Sequence, residues 1–386
     1  MIKKVSKLLI ICIFSICLTS CWDYEDVDKR SIVISIGIDQ VKENVQFSGE
    51  IAKVTPSSET KEKPQVANVY NLVSYGKTFE EARIHYDAIN PFPVFSGVTR
   101  VVVFGQNFAN KGIEPYLNRI GHIYDYRKTL LAVVSREKPP ELFNVKIEKD
   151  IAAGFLIEDT ISNLDKRGKA LYPTFGELLS NIALEEVGYV LPYVGIEKGA
   201  ITYLGLAVMK NSKMIGEIDI VDTDGILYIL AKNPRLVEAI HDPKNKENIF
   251  SFLTNIKKRK IKTNYKDGKI SINIDLDLQA ILRYQYYSRS ISEQEIKGLE
   301  KIISQKVKHD IISAVKKAQN EFECDYFGFA KYFRADYPKV YEKIKWRDIF
   351  KNVHVNVYVK TKITNHNLVD PNAKKKYLKD EEYGKK

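Results

Sequence analysis

The stretch from Lys3 to Cys21 constrains this chain more than any other. Lys3, Lys4 and Lys7 precede an apolar run from Leu8 to Leu18, and Leu18-Thr19-Ser20-Cys21 closes it with small residues before a cysteine. Positive charge, a short apolar core and a small-residue cleavage site make an export signal, and a cysteine at the cut makes it a lipobox. The run is about 11 residues long, against about 20 needed to cross a bilayer, so it is too short to persist as a spanning helix. We expect residues 1–20 to be removed and Cys21 to become the mature N-terminus, its thiol carrying a diacylglyceryl group; a plain secretory signal with a chance cysteine is the alternative. Two acyl chains, at roughly 0.8 kcal/mol per buried methylene, hold a folded body on a membrane surface.

What remains is about 366 residues, enough for two or three domains. No later run is long and apolar enough to span a bilayer. Of the 4 cysteines, Cys12 and Cys17 leave with the signal and Cys21 is lipidated, so Cys324 stands alone. It cannot form an intramolecular disulfide and is expected in the core, with a reactive thiol as the lesser reading. The formal charge is +11, which becomes +8 when Lys3, Lys4 and Lys7 are cut away. Much of it is local, at Lys257–Lys260, Lys316-Lys317 and the tail from Lys374 to Lys386. Basic patches suit nucleic acid or an anionic lipid surface, or are simply solvated. With an anchor at Cys21 the membrane is the nearer partner, and no basic motif interleaved with aromatics points to nucleic acid.

Along the chain, Ser31–Ile38 reads as a buried strand and Val45–Val54 as its antiparallel return, with a turn at Asn44. Thr55–Pro64 is a polar loop, and Val69–Tyr75 a further strand. Thr78 opens a helix with a capping-box pattern, its packed face assigned to Phe79, Ala82, Ile84 and Tyr86. Val98–Phe104 is a central strand, followed by a helix near Phe108–Ile120 and a strand at Leu130–Val134. Helices are expected from Pro139, over Ile151–Leu164 and over Phe175–Leu184. Three strands follow quickly, Gly188–Val194, Ile201–Met209 and Met214–Asp219, with a hairpin turn at Asn211-Ser212. A short helix covers Ile226–Ala231, and Pro234 is expected to start another. Asp267-Gly268 is the strongest hairpin signal, between Phe250–Lys262 and Lys269–Leu278. From the capping box Ser292–Glu295, apolar residues recur at helical steps from Ile296 to Phe322, a rod of about 40 Å. Trp346–Phe350 is a short helix and Val353–Ile363 an alternating last strand.

The fold class is thus α+β or mixed α/β in several domains, with mixed sheets, packed helices and one long C-terminal helix across an antiparallel sheet. The expected division is a signal peptide at 1–20, a lipidated tether at 21–30 and an N-terminal α/β domain at 31–195. A middle β-rich segment or small domain at 196–250, a C-terminal α+β domain at 251–365 and a disordered basic tail at 366–386 complete it.

No catalytic constellation stands out, and the expectation is a protein that is not an enzyme. His85, His122, His241, His309, His354 and His366 lie far apart, without the spacing of metal ligands. GxSxG, Walker A and GxGxxG are absent. Asp219, Asp222 and Asp224 superficially suggest calcium but lack an EF-hand's ligand ladder, so an ordinary turn is expected. Asp275 and Asp277 alternate with apolar residues as the polar face of a strand. No cofactor or metal is expected.

Several stretches in order carry a resemblance. They are Cys21-Trp22-Asp23; the strand ending Gly37-Ile38-Asp39; Gly76–Ala82 (GKTFEEA); Val101–Gly105 (VVVFG) followed by Ala109–Ile113 (ANKGI); Lys317-Ala318-Gln319 with Asp325–Phe329 (DYFGF); and Trp346 with Phe350. Together they resemble the C-subunit lipoproteins of spore germinant receptors, the Ger(x)C family, over nearly the whole mature chain. Tyr24-Glu25-Asp26 replaces the family's Arg-rich run after Trp-Asp, and Tyr124–Arg127 is a loose version of another segment. The resemblance implies a non-enzymatic subunit on the outer face of the spore inner membrane, acting with integral-membrane A and B subunits in the response to nutrients. It implies a three-domain arrangement of mixed sheets and helices. The one functional position it carries over is Cys21, as the lipidation site. A solute-binding lipoprotein serving a transporter is the alternative function, and an envelope hydrolase a third.

Overall fold

The computed structural model describes residues 29–53, 68–122, 126–147, 150–182 and 187–365. The polar loop expected at Thr55–Pro64, the tail after His366 and Cys21 itself lie outside the described residues.

β1 (Ser31–Val41) turns through Lys42, which has a positive φ, into β2 (Asn44–Lys53), and β2 pairs on with β3 (Asn68–Gly76). Then come α1 (Phe79–Ile89), the two-residue β4 (Val94–Phe95), and β5 (Val101–Gly105). At the mouth of α1, the Thr78 side chain accepts from the Glu81 amide at 3.1 Å, while the Glu81 carboxylate takes the Lys77 amide at 2.7 Å. Thr78→Ala should cost about 1 kcal/mol, read as a lowered denaturation midpoint. Ala82 and Tyr86 are buried as expected and Phe79 is half-buried, but Ile84 is 66% exposed. It sits five residues past Phe79, about 140° round the helix, and so off the packed face.

The single helix expected over Phe108–Ile120 is two: α2 (Gln106–Lys111) and α3 (Glu114–His122). Gly112 separates them at a φ of 128°, which a side-chain-bearing residue rarely adopts. β6 (Leu131–Ser135) follows, then α4 (Pro139–Phe143), α5 (Ala153–Lys166) and α6 (Phe175–Ile182), then β7 (Tyr189–Glu197), β8 (Ala200–Lys210) and β9 (Lys213–Asp219). Asn211 and Ser212, both at positive φ, make the β8–β9 turn.

These strands form one nine-stranded sheet in the order β3-β2-β1-β5-β6-β7-β8-β9, with β4 beside β1. Its centre, β1-β5-β6-β7, is parallel, and an antiparallel meander flanks each side. Every residue of β5 and β6 is buried, as parallel strands covered on both faces require. Val102, Phe104, Ala132 and Val134 face a core with residues of α1, α2, α3 and α6; Val101, Val103, Leu131 and Val133 face one with α4 and α5.

After β9 come α7 (Asp224–Leu230) and β10 (Arg235–Asp242), a strand where Pro234 was expected to start a helix. The long hairpin β11 (Asn245–Lys266) and β12 (Lys269–Gln285) turns at Asp267-Gly268, both at positive φ. α8 (Glu293–Lys316) is the expected long helix, opened by a complete Ser292/Glu295 capping box. α9 (Phe329–Asp336), α10 (Pro338–Tyr341), α11 (Trp346–Ile349) and β13 (His354–Asn365) complete the chain. The second sheet runs β10-β11-β12-β13, antiparallel except that β13 enters parallel to β12. α8 covers one face with Ile296, Leu299, Ile303, Val307, Ile311 and Val315, in a core that also includes Leu206, Val208 and Ile218 of the first sheet. The chain is therefore mixed α+β, with two mixed sheets, packed helices and a long C-terminal helix.

Candidate functional site: the motif joints and the surfaces they hold

The sequence motifs converge on buried joints. Asp325 is 3% exposed, and its carboxylate accepts from the amides of Phe329 (3.1 Å) and Ala330 (2.8 Å) and from Trp346 Nε1 (2.9 Å). Burial pushes this carboxyl's pKa up, against the pull of those three donors. Trp346 is fully buried and stacks on Phe333 at 5.4 Å. The Gln319 amide donates to the carbonyls of Phe350 (3.0 Å) and Val353 (2.8 Å), so Gln319, Asp325–Phe329, Trp346 and Phe350 form one knot. The knot also grips the first sheet. The Gly188 amide donates to the Asp325 carbonyl at 3.2 Å, and the Cys324 thiol points at the Met209 carbonyl at 3.6 Å. Cys324 is a core residue, its pKa pushed up to about 12 by burial, the reverse of what a nucleophilic thiol needs.

A second joint lies at the end of β1. Asp39 is 1% exposed and accepts from the amides of Gln40 (2.8 Å) and Phe108 (3.2 Å), which ties the strand to the first turn of α2. Gly105 lies flat against that carboxylate, where a Cβ would come within 2.3 Å of Asp39 Cγ. Phe79 joins Phe47, Phe108 and Tyr116 in an aromatic cluster. Glu50 makes a third joint, which carries no motif. Its buried carboxylate accepts from the amides of Ala153 (2.7 Å) and Gly154 (2.8 Å) and from the Ser35 hydroxyl, capping α5 from a neighbouring strand. Desolvation raises its pKa. Nothing in the local sequence marks Glu50, because the helix amides it caps lie over a hundred residues away.

The other residues singled out in the sequence do not assemble. His85, His122, His241, His309 and His354 are dispersed and exposed. Among the described residues no group of three or more His, Cys, Asp or Glu could hold a metal ion. Asp219 accepts from the Val221 amide at 2.9 Å and so caps an ordinary turn. Asp277 and Asp275 lie on the open face of the second sheet, opposite Lys258 and Lys260. The neighbouring Lys262, and to a lesser degree Lys258, hold the Lys260 pKa below its ordinary value, with Asp275 opposing them. Arg259 points the other way, donating to the carbonyls of Tyr228 (3.1 Å) and Ala231 (2.8 Å) at the end of α7.

A cleft of about 330 Å³ lies beside the Asp325 knot, where the start of β7 meets the end of α7 and the start of α9, with Tyr172, Tyr189, Tyr326, Asp165, Lys232 and Lys331 in its walls. Its walls come from three distant stretches of chain, so the sequence held no local sign of it. No helix among the described residues is long and apolar enough to cross a membrane.

Comparison with known proteins agrees with this architecture. The family described as "Spore germination protein N-terminal domain" matches residues 23–196, and "Spore germination B3/ GerAC like, C-terminal" matches residues 204–367. Among Bacillus subtilis (strain 168) proteins, "Spore germination protein YndF" is 24% identical over 95% of this chain and 98% of its own length. "Spore germination protein A3" is 25% identical, with 92% of this chain and 96% of its own length covered, and "Spore germination protein KC" is 20% identical, with 89% and 91% covered. The "Crystal Structure of the GerBC protein" superposes with a TM-score of 0.53 at 20% identity, over 88% of this chain and 100% of that one, which shows a shared fold. Two family matches in tandem, relatives aligned nearly end to end and a common fold lead to one conclusion: the chain belongs to the Ger(x)C family, the C subunits of spore germination receptors.

Proposed function

We propose that this chain is the lipid-anchored C subunit of a nutrient germinant receptor. It is held by acylated Cys21 on the outer face of the spore inner membrane and works through contacts with integral-membrane A and B subunits, not by catalysis. The observation that supports this best is the fate of the motifs. The residues that carry the resemblance, from Asp39 and Gly105 to Asp325 and Trp346, make joints that tie the scaffold together. A scaffold tied in this way acts through its surfaces, and a tether at Cys21 puts those surfaces at the membrane.

The cleft favours one other reading, a solute-binding lipoprotein, because it offers aromatic walls and both charges. Against it, a capture protein needs two lobes that hinge, whereas here the Gly188–Asp325 bond and a shared core bind the sheets together. Saturable binding of a small polar solute to the protein would favour it.

The test replaces the chromosomal copy by a Cys21→Ala form and follows the fall in optical density of purified dormant spores after nutrients are added. We expect the response to one nutrient class to fail, the protein to leave the inner-membrane fraction, and a receptor-independent trigger to work normally. Full membrane retention with full nutrient response would refute the anchored-subunit reading.

A further inference from the structure

The segment from Ile89, at the end of α1, to Val98, before β5, exposes several large apolar side chains in succession. Ile89, Phe92, Phe95 and Val98 are 51, 45, 41 and 42% exposed, and Pro91 and Pro93 between them are exposed too. Single exposed apolar residues are ordinary; four large ones and two prolines within one short loop make a patch. The loop is held rigidly. Its two strand residues pair with the start of β1, and the Pro93 carbonyl accepts from the Ser31 amide at 2.9 Å. Ser31 Oγ donates to Asn90 Oδ1 at 2.8 Å, and Thr99 Oγ1 to the Val33 carbonyl at 3.0 Å. One cation touches it, and two more are chain neighbours of that cation or of Ser31. The Arg127 guanidinium donates to the carbonyls of Val98 (3.4 Å) and Thr99 (3.2 Å), and Lys29, Arg127 and Lys128 are exposed.

Its place in the chain decides what it meets. The loop leans on Ser31, ten residues after Cys21. Even fully extended, ten residues reach at most about 33–36 Å, so an anchor at Cys21 keeps this patch close to the bilayer. We propose that the Ile89–Val98 loop is a second membrane contact, with Phe92 and Phe95 entering the interface of an anionic bilayer and Lys29, Arg127 and Lys128 at headgroup level. Exposed aromatic and apolar residues with Arg127 bonded to the loop's end suit that boundary: the rings take the edge of the acyl region and the cations take lipid phosphate. A lipid tether alone leaves the body free to swivel. A rigid second contact fixes which face looks down at the membrane and which is presented to partners. The proposal rests on the anchored-subunit reading for its proximity argument.

The experiment uses the full chain, purified from membranes and reconstituted into vesicles of phosphatidylglycerol and phosphatidylcholine. Phe92→Cys carries an environment-sensitive fluorophore, and Tyr358→Cys, 58% exposed on the open face of the second sheet, serves as comparison. On vesicles the Phe92→Cys probe should shift to the blue, lose its quenching by aqueous iodide and gain quenching by spin-labelled lipid; the Tyr358→Cys probe should keep its iodide quenching. Mass spectrometry of the same preparation reads the acylation of Cys21. Acylated Cys21 with an iodide-quenched Phe92→Cys probe overturns the loop contact while the anchor stands. Unacylated Cys21 with a lipid-quenched probe supports the loop contact and removes the anchor. A probe shielded only when integral-membrane receptor subunits are present, without lipid quenching, overturns the proposal in favour of a protein contact.

Discussion

Trp346→Ala should lower the stability of this protein by about 3–5 kcal/mol, the range for emptying a fully buried large aromatic site. The indole is 0% exposed and sits among Phe333, Tyr341 and Phe350, with ring centroids at 5.4, 6.3 and 6.3 Å. Removing it opens a cavity that the surrounding rings close only in part. It also takes one donor from Asp325, a carboxylate with almost no access to water. Trp346→Phe separates the two effects: most of the volume stays and only the N–H is lost, for an expected cost of about 1–3 kcal/mol. Denaturant unfolding followed by circular dichroism reads both variants. An alanine variant as stable as the parent would show that the knot contributes nothing to the fold.

Arg289→Ala should cost a similar amount, about 3–5 kcal/mol, because it leaves a buried charge unpaired. Asp242, 0% exposed at the end of β10, receives Arg289 through two bonds, Nε to Oδ2 at 2.6 Å and Nη2 to Oδ1 at 2.7 Å. Arg289 also reaches Glu295 at 2.8 Å and lies over the Phe250 ring at 5.3 Å, so one side chain joins β10, β11 and the head of α8. The pair implies a pH dependence. The Arg289 side chain holds the Asp242 pKa at about 2, below the ordinary 3.8. A carboxylate depressed in the folded state contributes stability that is fully present above its unfolded pKa and is lost as pH falls through the folded one. That contribution therefore declines below about pH 3.8 in the parent. In the variant, a buried carboxylate without its cation has a raised pKa and takes up its proton earlier, which relieves the unpaired charge. The stability gap between the two should be widest at neutral pH and narrow on acidification. A gap that stays constant from pH 7 to pH 4 and on downward would mean that Asp242 is not the group left unpaired.

Elements written in local chemistry are legible in the residues themselves. Ser292 and Glu295 form their capping box. Asp267-Gly268 and Asn211-Ser212 make their turns, because short polar residues and glycine accept positive φ where others resist it. Strands β5 and β6 announce themselves as unbroken apolar runs because both faces are covered. β10 does not. Leu236, Glu238, Ile240 and Asp242 are its inward positions, and two of the four are acidic, so the period of two is hidden and the helix-favouring Leu, Glu and Ala dominate the pattern. Those acids are tolerated inside only because distant groups meet them: Tyr228 Oη at 2.7 Å and Lys306 at 2.6 Å for Glu238, and Arg289 for Asp242.

By itself the sequence determined the order and type of most elements, the long amphipathic helix and the family resemblance. All of these are recorded in residue types and short spacings, which act over one or two turns of chain. Only the tertiary structure decided how β13 enters the second sheet, that Asp39, Glu50 and Asp325 serve as buried acceptors for helix amides, and that the Ile89–Val98 loop is stiffened against β1 with its apolar side chains outward. Most of those facts depend on partners far along the chain; Asp325 takes its helix amides locally, but its burial and its bond to Trp346 come from the fold. A buried carboxylate and an exposed phenylalanine look alike in sequence to their opposites until the fold fixes what surrounds them.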